Sequence, residues 1–373
     1  MLLSRVSPIA LLIRLGGGSP IVYGFCASSP HWHLRRALWY FFGVTVQACH
    51  APPGDHAWCP LCEALRETRL LEEIPYRTIF QALAVEWGAE VPALVARRHM
   101  PAETCRLLEC SACGFRFFPG AMAGDGEFYA SLSATPAYYA RSRWEFGWVK
   151  RRLIPGGTVL DAGCGPGVFL SEISLVASRA VGLEMNPSAI EAARRKGLEV
   201  YPEELEVFSR ENAGRFDAAC AFHLLEHVEA PAAFLRSLVR CVRPGGKIFL
   251  SVPNRDRSAK SPLEPLDCPP HHLSRWGAEQ MRRIGGSAGL RLRELAFEPV
   301  DISVPAARIR DAVARAVGKI PVAGKFLGDP AGKVAWRVVL APPLWNLYRN
   351  SGILERKGFF GLSVAASYNI VGA

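Results

Sequence analysis

The segment Val159-Leu160-Asp161-Ala162-Gly163-Cys164-Gly165-Pro166-Gly167 limits what this chain can fold into more than any other. It reads as a short buried strand from Thr158 to Asp161, a glycine-rich turn, and a helix starting near Val168. Glycines at alternate positions remove side chains where a backbone must take unusual dihedrals and pass close to a ligand. The helix that follows points its free N–H groups back at the turn. Such a turn suits a nucleotide-like cofactor.

Spacing narrows the choice of cofactor. The dinucleotide fingerprint is G-x-G-x-x-G. Here Val168 stands where its third glycine would be, and Gly167 comes one residue early. A second strand, Arg179 to Glu184, ends on a carboxylate that can accept hydrogen bonds from ribose hydroxyls. Ribose is common to NAD and S-adenosylmethionine (SAM), so Glu184 supports a nucleoside without choosing between them. With Asp161 ahead of it, the turn resembles motif I of the class I SAM-dependent methyltransferases, D-x-G-x-G-x-G.

Beyond residue 157 strand and helix patterns alternate. Strands are expected near Leu198 to Tyr201, Phe216 to Phe222, Lys247 to Val252, Leu290 to Phe297 and Gly361 to Ile370. Helices are expected from Val168 to Val176, from Asn186-Pro187 to Lys196, from Pro231 to Arg240 and from Trp276 to Ala288. A further helix is expected over Pro136 to Leu153, where Tyr139, Phe146, Val149 and Leu153 recur near helical spacing. Pro-Gly-Gly turns at 155–157 and 244–246 punctuate the series. Alternation of this kind implies a mostly parallel sheet with right-handed crossovers. The fold class expected is α/β, a doubly wound sheet of seven strands.

Further strings extend the resemblance. His223-Leu224-Leu225-Glu226-His227-Val228 looks like the L-E-H-V signature of a bacterial small-molecule methyltransferase subfamily. Arg243-Pro244-Gly245-Gly246-Lys247 resembles the family's turn before strand five, and Pro270-His271-His272-Leu273-Ser274-Arg275-Trp276 its P-H-H-L-S segment. The resemblance implies that Gly163, Gly165 and Gly167 lie against the methionine part of SAM and that Asp161 orients the turn. It implies that Glu184 binds the ribose, that Met185 lies against the adenine, and that His223 and Leu224 face the cofactor. For a hydroxyl acceptor a base must take a proton, and His223, His227 and His272 are the candidates. Each of them also has a structural reading, as a brace for the loops over the pocket. Quinone-precursor O-methyltransferases resemble the chain here but carry E-x-x-E-H for a divalent metal. In this chain His223 replaces the first acid, and no catalytic metal is expected.

Two C-x-x-C pairs, Cys59/Cys62 and Cys110/Cys113, each resemble half of a zinc ribbon, and together they would close a structural four-sulfur zinc site. Forty-seven residues separate the pairs, so an insertion, with Leu70 to Val95 as a helical stretch, must loop out. Cys105 is a spare thiol. With the other cysteines in the glycine turn and in apolar runs, the set suggests a reducing compartment.

The net charge is +10. No dense Lys/Arg run or RNA-binding aromatic motif accompanies it, so nucleic acid is not expected as a partner. Residues 303–357 hold ten basic and three acidic residues among apolar ones, which suggests amphipathic helices forming a lid inserted before the last strand. That lid is either a solvated basic face or a contact with an anionic membrane. Residues 1–55 are left unassigned: their first acid is Asp55, a composition shared by transit peptides and by unstructured extensions.

The organisation expected is therefore an extension at 1–55, a zinc-ribbon-like module at 56–120, and a methyltransferase domain at 121–373. The activity implied is methyl transfer from SAM to a small molecule, with O-methylation favoured, in the cytoplasm or at a membrane surface. An NAD(P)-dependent oxidoreductase and a non-catalytic SAM-binding protein are the alternatives. A macromolecular acceptor is a further one. The acceptor and the oligomeric state are not legible.

Overall fold

The computed structural model describes residues 9–13, 21–25, 56–135, 138, 143–257, 263–299 and 363–370. The chain divides into two compact units, Met1–Gly54 and Asp55–Ala373. In the first, β1 (Ile9–Ile13) and β2 (Ile21–Phe25) form an antiparallel hairpin. The remainder of the extension, the basic insertion at 303–357 and residues 136–137 and 139–142 of the expected 136–153 helix lie outside the described residues.

The second unit opens with β3 (His56–Cys59) and β4 (Ala64–Pro75), then α1 (Tyr76–Trp87), α2 (Ala93–Arg98), β5 (Thr104–Cys110), β6 (Arg116–Phe117) and α3 (Gly126–Ser133). The helical stretch expected from Leu70 starts later. Leu70 to Pro75 stay in β4, which pairs with β5 as far as Pro75–Thr104, and the helix begins at Tyr76. Cross-strand pairing outweighs the local apolar pattern here, and Pro75 sits just ahead of the helix, where its missing N–H costs nothing. Gly88, at φ 64°, closes α1 in the left-handed conformation. Asp125 caps α3 by accepting from Phe128 N–H at 2.9 Å.

After α4 (Trp144–Lys150) comes the alternating series: β7 (Thr158–Ala162), α5 (Val168–Ile173), β8 (Arg179–Leu183), α6 (Pro187–Arg194), β9 (Glu199–Tyr201), α7 (Leu205–Glu211), β10 (Phe216–Phe222), α8 (Pro231–Cys241) and β11 (Val242–Pro253). Then follow β12 (Ser274–Arg275), α9 (Ala278–Ser287), β13 (Leu290–Phe297) and β14 (Ser363–Ile370). Helix α7 was not foreseen; its buried face, Leu205, Phe208 and Ser209, is too short to stand out in a run rich in acids.

The main sheet has the order β13-β14-β11-β10-β7-β8-β9. The pairs from β9 to β11 are parallel, and β14 runs antiparallel to both β11 and β13. The Pro-Gly-Gly turn at 244–246 falls inside β11, where the register with β10 jumps from Phe216–Val242 to Ala218–Lys247. Central strands are apolar on both faces because helices cover both. On one face Phe146, Phe169 and Phe222 pack with ring centroids 4.8 to 5.3 Å apart. On the other, α8 buries Leu235, Leu238 and Cys241. The chain order reverses between β7 and β10, and the glycine turn follows β7 at that switch point, where ligands of open α/β sheets sit.

A second sheet has the order β12-β6-β5-β4-β3. Its edge strand β12 comes from the loop after β11, so the cysteine-bearing segment and the main sheet share hydrogen bonds as well as apolar packing. Phe115 meets Trp276 edge-on at 4.7 Å in the shared core.

Candidate functional site

Gly163, Gly165 and Gly167 all take positive φ, at 74°, 54° and 74°. Their reasons differ. A Cβ on Gly163 would come within 3.0 Å of Leu224, and one on Gly167 would overlap Leu198 where the turn packs on α6 and β9. The turn is held by Gly163 and Cys164 N–H, both donating to Leu183 O at the end of β8.

Glu184 closes the next strand end over the same turn. Gly165 N–H donates to its Oε2 at 2.9 Å, and Met185 and Asn186 N–H donate to its Oε1 at 2.8 Å. Both lone pairs of Oε1 are thus engaged, and Oε2 keeps one further acceptor direction, which a ribose hydroxyl could use. Met185 beside it is an apolar side chain 58 % exposed among the described residues.

Asp161 is buried at the end of β7, and its Oδ1 has no hydrogen-bond partner among the described residues. Burial, then the charge of Glu184, pushes its carboxyl well above the usual range. A buried oxygen without a donor is costly, and an ammonium group is the donor that would relieve it. The amino group of a methionine moiety is a donor of that kind. The turn, Asp161, Glu184, Met185 and Leu224 thus gather at one end of β7, β8 and β10.

The histidines fall into two groups. His223 follows β10 with φ 50°, and its Nε2 lies 2.8 Å from Glu145 Oε1 of α4. Glu145 is buried and also accepts from Ser251 Oγ at 3.3 Å. Burial opposes charge on both partners, yet the hydrogen bond between them and the nearby Glu226 prevail: His223 is held above its ordinary value and Glu145 below its own. The contact with Glu145 thus favours the charged form of His223 over that of a free imidazole.

His227 and His272 group with His271, each offering a ring nitrogen within 4.8 Å of the others. Burial, then the neighbouring imidazoles, holds His227 well below the usual imidazole range. Its Nδ1 lies 2.6 Å from His271 O and 3.0 Å from Tyr129 Oη of α3. Glu145, Tyr129 and Tyr138 carried no motif and were missed by sequence reasoning. His271 stood in the P-H-H-L-S string but was set aside.

The four cysteines of the C-x-x-C pairs converge, their sulfurs all within 4.8 Å of one another. The two turns are alike: Glu63 and Gly114, each following the second cysteine of its pair, both have positive φ, at 50° and 67°. Cys62 N–H faces Cys59 Sγ at 3.4 Å. Crowded thiols resist ionising: burial, aided by Cys113, raises Cys62 to about 11. Cys105 stays apart on β5, its thiol turned to Ile74 O at 3.6 Å. No disulfide joins the cysteines among the described residues.

Strand order, the antiparallel β14 and a glycine turn capped by a carboxylate define a methyltransferase-like α/β fold with a mixed sheet. Residues 137–295 match the family model described as a methyltransferase domain. A ubiquinone biosynthesis O-methyltransferase of Pseudomonas paraeruginosa is 34 % identical over 119 residues, which are 30 % of this chain and 51 % of that protein. One of the same description from Xanthomonas axonopodis pv. citri is also 34 % identical over 119 residues, 30 % of this chain and 50 % of its own. The chain spans about half the length of the curated relatives it matches. Among solved structures, a SAM-dependent methyltransferase from Archaeoglobus fulgidus aligns with a TM-score of 0.39 at 17 % identity, over 60 % of this chain and 94 % of that one.

Proposed function

We propose that this chain is a SAM-dependent methyltransferase acting on a hydroxyl of a small molecule. The carrying observation is the pairing of an unpartnered buried Asp161 oxygen with a glycine turn whose central N–H is held by Glu184. In this reading Gly163 and Gly165 leave room for the amino-acid tail, and Asp161 receives its ammonium group. Glu184 accepts from the ribose hydroxyls, and Met185 covers the adenine. Leu224, packed over Gly163, separates the cofactor from the histidines. SAM, when bound, supplies an electrophilic methyl on a sulfonium. The protein's part is to align the acceptor, exclude water and receive the departing proton.

That proton is taken up at the histidine cluster. His227 and His272 line the acceptor side, while His223, braced by Glu145, fixes the loop that carries His227. The similarity to ubiquinone biosynthesis O-methyltransferases supports a quinone-like phenol as the acceptor class. We further propose that Cys59, Cys62, Cys110 and Cys113 hold a structural zinc ion. Four mutually adjacent sulfurs on two matching turns fit its tetrahedral preference, and a closed four-thiolate site has no position left for chemistry.

Calorimetric titration with SAM, S-adenosylhomocysteine and NAD tests the cofactor class. Binding of the first two and not of NAD is expected, and Gly165→Arg is expected to abolish it while leaving the circular dichroism spectrum unchanged. NAD binding, or unaltered SAM affinity in the variant, overturns the reading.

A further inference from the structure

The second cysteine turn is gripped from far along the chain. Gly114, which follows Cys113, has a φ of 67°. Its carbonyl accepts from Arg255 Nη1 at 2.8 Å and from Gln280 Nε2 at 3.0 Å. Gln280 Nε2 also lies 3.4 Å from Cys113 O. Arg255 comes just after β11 and Gln280 from α9, so donors 141 and 166 positions away meet on one carbonyl oxygen.

One of the two donors is charged, and its charge is poorly answered. The Arg255 side chain is 10 % exposed, and its Nε has no hydrogen-bond partner among the described residues. Asp256 Oδ1 stands 3.8 Å from that Nε, beyond hydrogen-bonding reach, on a half-exposed side chain. Glu109 is already held by Arg69 and Arg116. Burial, then the nearby Arg116, opposes the guanidinium's charge, while Asp256, Glu109 and the thiolate form of Cys113 favour it. An arginine cannot shed its proton to escape that cost, so a buried one needs an anion close by.

Metal binding at the cysteines would provide that anion. Neutral thiols carry no charge, but thiols that bind a divalent ion do so as thiolates. Four of them around one such ion leave the centre doubly negative. We propose that Arg255 is the counter-charge of a metal-loaded centre at Cys59, Cys62, Cys110 and Cys113, and thereby sets how tightly that centre holds its ion. The inference rests on the structural-zinc reading. It also joins the centre to the rest of the fold, because Arg255 N–H donates to Trp276 O at 2.7 Å and so closes the neck of the loop that carries His271 and His272.

The test is competition for zinc between the full-length chain and a chromophoric chelator. Arg255→Met keeps the side-chain stem and removes the charge, and it should weaken zinc binding at least tenfold. Arg255→Lys restores a charge without the fork and should recover most of that loss. Gln280→Leu removes a neutral donor from the same carbonyl and should weaken zinc binding less than Arg255→Met does. Cobalt(II) in place of zinc should show the same sulfur-to-metal charge transfer in the wild type and in all three variants, because the four ligands are untouched. Unchanged affinity in Arg255→Met, equal losses in Arg255→Met and Arg255→Lys, or a larger loss in Gln280→Leu overturns the role of the charge and leaves the zinc reading standing. A wild-type chain that takes up no zinc, or whose cobalt form lacks sulfur charge transfer, overturns both.

Discussion

Glu145 Oε1 and His223 Nε2 lie 2.8 Å apart, joining the helix before the sheet to the end of β10 across 78 positions of sequence. The contact decides how the loop after β10 is built. His223 takes a left-handed φ of 50°, and the buried ion pair holds it there. It also shifts the imidazole of His223 toward its charged form.

Breaking this pair should destabilise the protein in a pH-dependent way. A histidine raised by folding contributes stability that is complete below its ordinary 6.5 and fades as pH climbs through its higher folded value. A lowered carboxylate contributes stability that is complete above its ordinary 4.5 and fades as pH falls through its lower folded value. The pair contributes most between those limits. Glu145→Gln is expected to cost about 3 kcal/mol there, and less at pH 9. Urea unfolding at the two pH values checks it; an equal loss at both would remove the charged pair from the account.

Asp161 should behave in the opposite sense. Its folded carboxyl is raised, so the cofactor-free protein loses stability as pH rises above the ordinary 3.8. Asp161→Asn is expected to relieve that loss, making the free protein more stable at pH 7 by about 1–2 kcal/mol. The same change should weaken SAM binding at least tenfold, about 1.4 kcal/mol. Thermal melts with and without SAM measure both effects, and a variant that is less stable and binds equally well would refute the role.

Gly167 should tolerate no side chain, for packing reasons. Gly167→Ala adds a Cβ that overlaps Leu198 at a φ of 74°. A loss of about 1–3 kcal/mol of stability is expected. Gly167→Ala combined with Leu198→Ala should recover part of it. A double mutant no more stable than the single one would show that backbone strain alone sets the cost.

The cysteine cluster makes a prediction by contrast. Cys110→Ser should lose one zinc per chain in elemental analysis, whereas Cys105→Ser, whose thiol faces Ile74 O on the other side of β5, should retain it. Zinc lost from both variants, or from neither, would exclude the four-thiolate assignment.

Much of this architecture is legible in the chain's local patterns. The seven strands of the main sheet fall where apolar runs and turn residues place them, because a buried parallel strand needs only a short apolar segment between breakers. The glycine turn is legible because backbone geometry at Gly163 and Gly165 demands particular residues at fixed spacing. Helix α7 and the extension of β4 through Pro75 were not, since one is a short polar-looking helix and the other depends on a partner strand thirty residues away.

Sequence by itself determined the strand–turn–helix series, the carboxylate at Glu184 and the two cysteine pairs, all of which are local chemistry written in contiguous residues. Only the tertiary structure decided that Glu145 would meet His223, that His227 would stand with His271 and His272, and that Cys105 would stay outside the sulfur cluster. The physical reason is that these relations are distances across the fold. A burial cost or a donor's direction exists only once distant segments have packed together, and no periodicity along the chain encodes it.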